Sequence, residues 1–170
     1  MKSIHCVGVA GMGVGPLAIY LAQAGFSVSG EDDAMIEAMR VHLERAGVAL
    51  TVAGGVPANC DLVVYSSAIS PAHPAFIAAS SRKIPLVRRG ELLAEVVRDK
   101  KLVAICGSHG KTTTTAMLVT ALRRANFPAV TCSADFSMTT RFRLRAPAQT
   151  TGSLRRSMKA TAPSIAFHRR

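Results

Sequence analysis

Apolar residues along the first 130 positions alternate between short unbroken runs and runs spaced three and four apart, the marks of buried strands and one-faced helices. Ile4 to Val9 reads as a buried strand, and Leu17, Ala18, Leu21, Ala22 and Ala24 mark a helix that Gly25 closes. Phe26 to Ser29 gives a second strand. A helix from Ala34 to Ala46 carries Met35, Met39 and Leu43 on one face and stops at Gly47, and a third strand falls near Val48–Val52. The run Asp61 to Ser66 predicts another strand, Pro74 to Ser81 a helix with proline in its first turn, and Ile84 to Val87 a strand. Residues 89–98 form a helix with Leu92, Leu93, Val96 and Val97 inward. Leu102 to Cys106 then reads as a strand, Thr112 to Asn126 as a helix burying Met117, Leu118, Ala121, Leu122 and Ala125, and Phe127 to Val130 as the approach to a further strand. This alternation predicts an α/β fold, a mainly parallel Rossmann-like sheet wrapped by helices, with ligands at the carboxyl ends of its strands.

The pattern stops after Val130. The first 130 residues contain 16 valines and the last 40 none, and the tail sets Arg141, Arg143, Arg145, Arg155, Arg156, Lys159, Arg169 and Arg170 among Ser, Thr and Ala. Such a composition predicts a disordered basic tail. The net charge of +11 changes meaning accordingly: residues 1–130 hold 13 basic and 9 acidic side chains, net +4, and residues 131–170 hold 8 and 1, net +7. A basic surface spread over the fold would indicate a nucleic-acid partner. Charge confined to a tail whose aromatics are Phe136, Phe142 and Phe167 offers no stacking platform, so nucleic acid is an unlikely partner.

At 170 residues the chain is long enough for one full domain, or for one domain and part of another. The polar cluster Arg98-Asp99-Lys100-Lys101 is the expected boundary, dividing the chain into a domain over 1–98, the start of a second over 99–130, and the tail over 131–170. No apolar run reaches membrane-span length and no signal peptide precedes the first strand, so a soluble cytoplasmic protein is expected. Cys6, Cys60, Cys106 and Cys132 show no metal-ligand spacing and read as small buried hydrophobes; His5, beside a strand, reads as structural.

The chemistry concentrates in two glycine loops. Gly107-Ser108-His109-Gly110-Lys111-Thr112-Thr113-Thr114-Thr115 joins a predicted strand to a predicted helix. That layout turns successive N–H groups toward phosphate oxygens, with Lys111 as a point charge for the terminal phosphates of a nucleoside triphosphate and the Thr112 hydroxyl as a ligand for Mg²⁺. Ile105 stands where the usual string has its first glycine, so the loop is a short variant. His109 reads as a loop-shaping residue. The plain competitor is a glycine turn whose threonines cap a helix.

The other loop, Gly8-Val9-Ala10-Gly11-Met12-Gly13-Val14-Gly15, lies between the first strand and first helix, with Asp32 at the end of the second strand. This approximates the dinucleotide-binding arrangement, in which a helix N-terminus faces a pyrophosphate and an acid receives hydroxyls, with Ala10 at the second glycine position. A glycine turn used for tight packing would look similar, and the plain alternative for Asp32 is a cap on the next helix.

The two loops in this order, with Val28-Ser29-Gly30, Asp32, the string Ser66-Ser67-Ala68-Ile69-Ser70 and Arg88-Arg89, resemble the Mur ligases of peptidoglycan synthesis from about Ile4 to Phe127. The resemblance implies an ATP-dependent carbon–nitrogen ligase using Mg²⁺, which activates the carboxylate of UDP-N-acetylmuramate as an acyl phosphate for attack by L-alanine. It implies that Gly11, Met12, Gly13 and Val14 face the sugar nucleotide's pyrophosphate, that Asp32, Ser66, Ser67, Ala68, Ile69 and Arg88 border the same ligand, and that Gly107, Ser108, His109, Gly110, Lys111, Thr112 and Thr113 hold ATP, with Lys111 and Thr112 catalytic. Departures are Ala10 for glycine, Gly15-Pro16 for Ser-Gly, Glu31 for serine and Ser108 for threonine. A ligase that joins a tripeptide to the same UDP-sugar shares these loops, and a non-catalytic UDP-sugar-binding module would need only the first. The composition break predicts a truncated or frame-shifted product without ligase activity of its own.

Overall fold

In the computed structural model the described residues are 2–127 and 131. The tail expected over 131–170 and the strand expected to follow Phe127 therefore fall, Thr131 aside, outside the described residues. Among the described residues five parallel strands, β1 (Ser3–Val7), β2 (Ser27–Glu31), β3 (Val48–Leu50), β4 (Leu62–Tyr65) and β5 (Leu86–Arg88), lie in the order β3-β2-β1-β4-β5. Five helices are seen among the described residues, α1 (Val14–Gln23), α2 (Glu37–Arg45), α3 (Pro74–Ser81), α4 (Arg89–Val97) and α5 (Lys111–Arg124); α1 to α4 follow β1, β2, β4 and β5, and α5 follows α4 with no strand between. The order of strands reverses between β1 and β4, so the crevice outside their carboxyl ends is the expected ligand position.

Each face of the sheet is buried for a visible reason. On one face Ile4, Cys6, Val28 and Val64 meet Leu17, Leu21, Leu43 and Leu92, and Met35 and Met39 close the edge as their spacing predicts. On the other, Val7 and Val63 pack against Ala75 and Ala79, whose small side chains bring α3 close. Burial pushes the Cys6 thiol up to about 12, so it packs as a neutral apolar group. Gly25 and Gly47, at φ +87 and +86, end α1 and α2 in the left-handed turn that glycine favours.

Two expectations fail, both beyond α4. Leu102 to Cys106 forms no strand: Leu102 is 60% and Val103 71% exposed, and Cys106 is an exposed thiol rather than a buried one. A strand forms only against a hydrogen-bonded neighbour, and no described strand pairs with this one. The same lack reaches α5, where Val119 is buried while Met117, Ala121 and Ala125 are exposed and Leu118 and Leu122 half-buried. Its spacing is helical, but among the described residues no sheet lies under the predicted face. Among the described residues no helix is long and apolar enough to cross a membrane.

Candidate functional site

The chain leaves β1 through Gly8, whose φ of +79 turns it back across the end of β2. The carbonyl of Glu31 accepts from the N–H groups of both Gly8 (2.9 Å) and Val9 (3.1 Å), and Gly11 N–H closes a tight turn on the Gly8 carbonyl (3.0 Å). Asp32 fixes the middle of the loop: Oδ2 accepts from Ala10 N–H at 2.8 Å while Oδ1 accepts from Ala34 N–H at 2.9 Å. Asp32 thus holds the loop and the following turn at once, and each oxygen keeps a lone pair. Past this clamp, the N–H groups of Met12, Gly13 and Val14 have no acceptor among the described residues, and the first turn of α1 contains no acidic side chain. A ten-residue helix therefore presents its partial positive end and unpaired donors to the crevice.

Opposite lies a cleft of about 450 Å³ lined by Ser66, Ser67, Arg88, Arg89, Gly90 and Glu91, at the carboxyl ends of β4 and β5. Its serine wall touches the glycine loop. A Cβ placed on Gly8 would lie 3.3 Å from Ile69 Cδ1 and 3.8 Å from Ser66 Cβ. Ile69 thus packs beneath the loop rather than lining the cleft, and Ala68 N–H bonds back to Ser66 Oγ at 3.3 Å.

The two arginines diverge. Arg88 is exposed, bonded through its side chain to Tyr65, which with Glu91 holds its guanidinium above the usual range. Its backbone N–H donates to Glu91 Oε2 at 3.2 Å, starting α4. Arg89 instead lies half-buried across the glycine loop: a Cβ on Gly13 would come within 2.9 Å of its Cδ and 3.2 Å of its Nε. Arg89 was not among the residues expected to border the ligand, although the Arg88-Arg89 pair was visible. Consecutive side chains point apart at a strand-to-helix junction, but which of two adjacent arginines meets the glycine loop is set by where β5 lies in the sheet relative to β1, and the sequence carries no local signal for it.

None of residues 107–113 lines this cleft; they make a separate cradle. Gly107 and Gly110 take φ of +147 and +77, and Lys111 Nζ folds over the loop to donate to the carbonyls of Gly107 (2.6 Å) and Ser108 (2.9 Å). Lys111, Thr112 and Thr113 N–H groups open α5 without acceptors among the described residues. Thr115 turns its hydroxyl back to the Lys111 carbonyl at 2.8 Å, whereas that of Thr112 has no partner among the described residues. A free hydroxyl, free N–H groups and an ammonium held over them suit a phosphate chain and a hard cation. Among the described residues no three His, Cys, Asp or Glu side chains are arranged to hold a metal.

Comparison with known proteins agrees with this geometry. Residues 3–101 match the model of the Mur ligase family, catalytic domain. UDP-N-acetylmuramate–L-alanine ligase of Nitrobacter winogradskyi is 45% identical over 127 residues, which are 73% of this chain and 27% of that protein. The enzyme of the same name from Dechloromonas aromatica is 44% identical over 124 residues, 72% of this chain and 27% of its own. Among solved structures, the UDP-N-acetylmuramate-alanine ligase of Thermotoga maritima superposes with a TM-score of 0.69 at 25% identity, covering 74% of this chain and 30% of that one. The murein peptide ligase of Psychrobacter arcticus does so with 0.67 at 30% identity, covering 74% and 27%. The chain spans about 27% of the length of the curated relatives it matches. A glycine loop clamped by Asp32 at the strand-order reversal, matched over more than half the chain by the family model, places this chain in the Mur ligase family.

Proposed function

We propose that residues 1–98 form a UDP-N-acetylmuramate-binding domain of an alanine-adding ligase, and that residues 99–130 begin its ATP-binding domain. The observation that carries the first half is Arg89 lying across Gly13 beside three unpaired N–H groups, a cationic cradle with no anion of its own. Met12, Gly13 and Val14 N–H and the Arg89 guanidinium would receive the pyrophosphate, Gly11 would keep the turn tight, and Ser66, Ser67 and Arg88 would line the course of the sugar. Asp32 would hold the loop in shape and accept a ligand hydroxyl. In the second half, Lys111 would exchange its loop carbonyls for the terminal phosphates of ATP, and the Thr112 hydroxyl would be one ligand of Mg²⁺, whose charge neutralises the transferring phosphoryl group.

In this reading catalysis needs both cradles, and the second has no sheet beneath it among the described residues. The reading therefore separates binding from turnover and gives the chain a cytoplasmic place, where both nucleotides are found. Titration calorimetry of the 170-residue chain with UDP-N-acetylmuramate is expected to show one saturable site, while alanine-dependent ADP release stays at background. Absence of sugar-nucleotide binding would remove the proposal. Alanine-dependent turnover would remove its division of labour, and tripeptide-dependent turnover would favour the murein peptide ligase activity named for the second structural relative.

A further inference from the structure

Under the glycine loop, on the α3 face of the sheet, three titratable side chains converge that the proposed chemistry does not use. Glu31, 1% exposed, turns its carboxylate inward from the end of β2. Its Oε2 accepts from Gly55 N–H at 3.2 Å, but Oε1 has no hydrogen-bond partner and lies 3.6 Å from both His5 Nε2 and His73 Nδ1. Those separations are too long for hydrogen bonds, and a buried carboxylate oxygen left unpaired is costly. His5 is wholly buried and contacts Ser29 Oγ through Nδ1 at 2.9 Å. Burial, outweighing the opposing pull of Glu31, holds its pKa below the usual range, and His73 lowers it further.

His73 differs in being N-cap of α3: its Nδ1 accepts from Ala75 N–H at 3.3 Å. A nitrogen that accepts carries no proton, so neutral His73 has its hydrogen on Nε2, which lies 4.0 Å from Asp33 Oδ2. The same Nδ1 atom thus stands between a donor that needs it bare and an orphaned carboxylate oxygen that needs it protonated. It cannot serve both. The groups facing it are Glu31 and Asp33 from β2 and its following turn, and His5 from β1, which resists protonation.

We propose that His73 is a proton-operated latch: neutral, it caps α3 through Nδ1; protonated, it releases Ala75 N–H and gives its Nδ1–H to Oε1 of Glu31. The consequence extends toward the cleft wall, because His73 N–H is bonded to the Ser70 carbonyl at 3.0 Å, closing the turn that follows the Ser66–Ile69 turn. Releasing the cap loosens the first turn of α3 and the Ser70–His73 turn before it, and the exchange needs no ligand.

Nitrogen-15 spectra of the imidazoles and amide hydrogen exchange, both followed from pH 8 to pH 5 on the full ligand-free chain, test it. The expected result is a bare Nδ1 on His73 at pH 8. As that ring gains its proton, Ala75 exchange, corrected for intrinsic rate, should rise about fivefold, the worth of one N-cap of about 1 kcal/mol. His73→Asn, which caps without titrating, should hold Ala75 protection flat across the range. Glu31→Gln, which removes the receiving charge, should lessen the rise in Ala75 exchange. A hydrogen on Nδ1 at pH 8, Ala75 protection unchanged once the ring is protonated, a pH dependence that survives in His73→Asn, or the full rise in Ala75 exchange in Glu31→Gln would each overturn the latch.

Discussion

Gly30→Ala should lower the unfolding free energy by about 1–3 kcal/mol, the usual range for forcing a methyl group into a filled core. Gly30 sits in β2, paired with Cys6 of β1, and is buried. A Cβ there would lie 2.9 Å from Val9 Cβ and Cγ2 and 3.0 Å from its Cγ1. Val9 cannot give way cheaply, because it is itself fully buried and its N–H is tied to the Glu31 carbonyl. The methyl group therefore displaces the glycine loop. Urea unfolding followed by circular dichroism checks this, with Gly90→Ala as the companion: a Cβ on Gly90 meets nothing within 4 Å, and alanine favours the helix it occupies. Equal stability of the two variants would show that β2 and the loop are not packed as described.

Arg89→Ala should weaken UDP-N-acetylmuramate binding by about 10- to 100-fold while leaving the unfolding midpoint near its parent value. A hydrogen bond to a charged group contributes about 1.5–3 kcal/mol, and each 1.4 kcal/mol is tenfold in affinity. Arg89 is half-buried and makes no ion pair among the described residues, so its removal leaves no core charge unpaired. Arg88→Ala, at an exposed guanidinium bonded to Tyr65, should cost less. Arg89→Lys should recover only part of the loss, because an ammonium cannot hold two phosphate oxygens in a planar fork. Calorimetric titration of the three variants gives the order; a larger loss at Arg88 than at Arg89 would reverse the assignment.

Most of the sheet could be read from residue spacing because its central strands β1, β2 and β4 are buried on both faces, while α2, α3 and α4 bury one side each. Pro74 opens α3 and Gly25 and Gly47 end α1 and α2 where the pattern placed them, each residue imposing its own backbone geometry. The ends of α2 moved inward, from the expected Ala34–Ala46 to Glu37–Arg45, since Asp32 draws Ala34 N–H into a turn. Leu102–Cys106 is the instructive failure. Its apolar run is a proper strand sequence, yet strand formation depends on partners that are distant in sequence, and local spacing carries no record of whether they exist.

The site was legible to a different degree. Glycines, Lys111 and Asp32 stand out by residue type, and they fall at the turns expected of them. The Asp32 to Ala10 clamp, the divergence of Arg88 from Arg89 and the convergence of His5, Glu31 and His73 are properties of register across β1 and β2 and of the loop entering α3. Such pairings emerge only when strands distant along the chain lie side by side.

The central claim is that the glycine loop after β1, with Arg89 across it, is the seat of a sugar nucleotide's pyrophosphate. Amide and arginine side-chain resonances of the chain, recorded during titration with UDP-N-acetylmuramate, address it directly. The largest shifts should fall on the N–H groups of Met12, Gly13 and Val14 and on Arg89 Nε, with smaller ones at Ser66 and Ser67 and none at Lys111. Saturable shifts confined to 107–113, or a titration that leaves Gly13 and Arg89 unmoved, would contradict it.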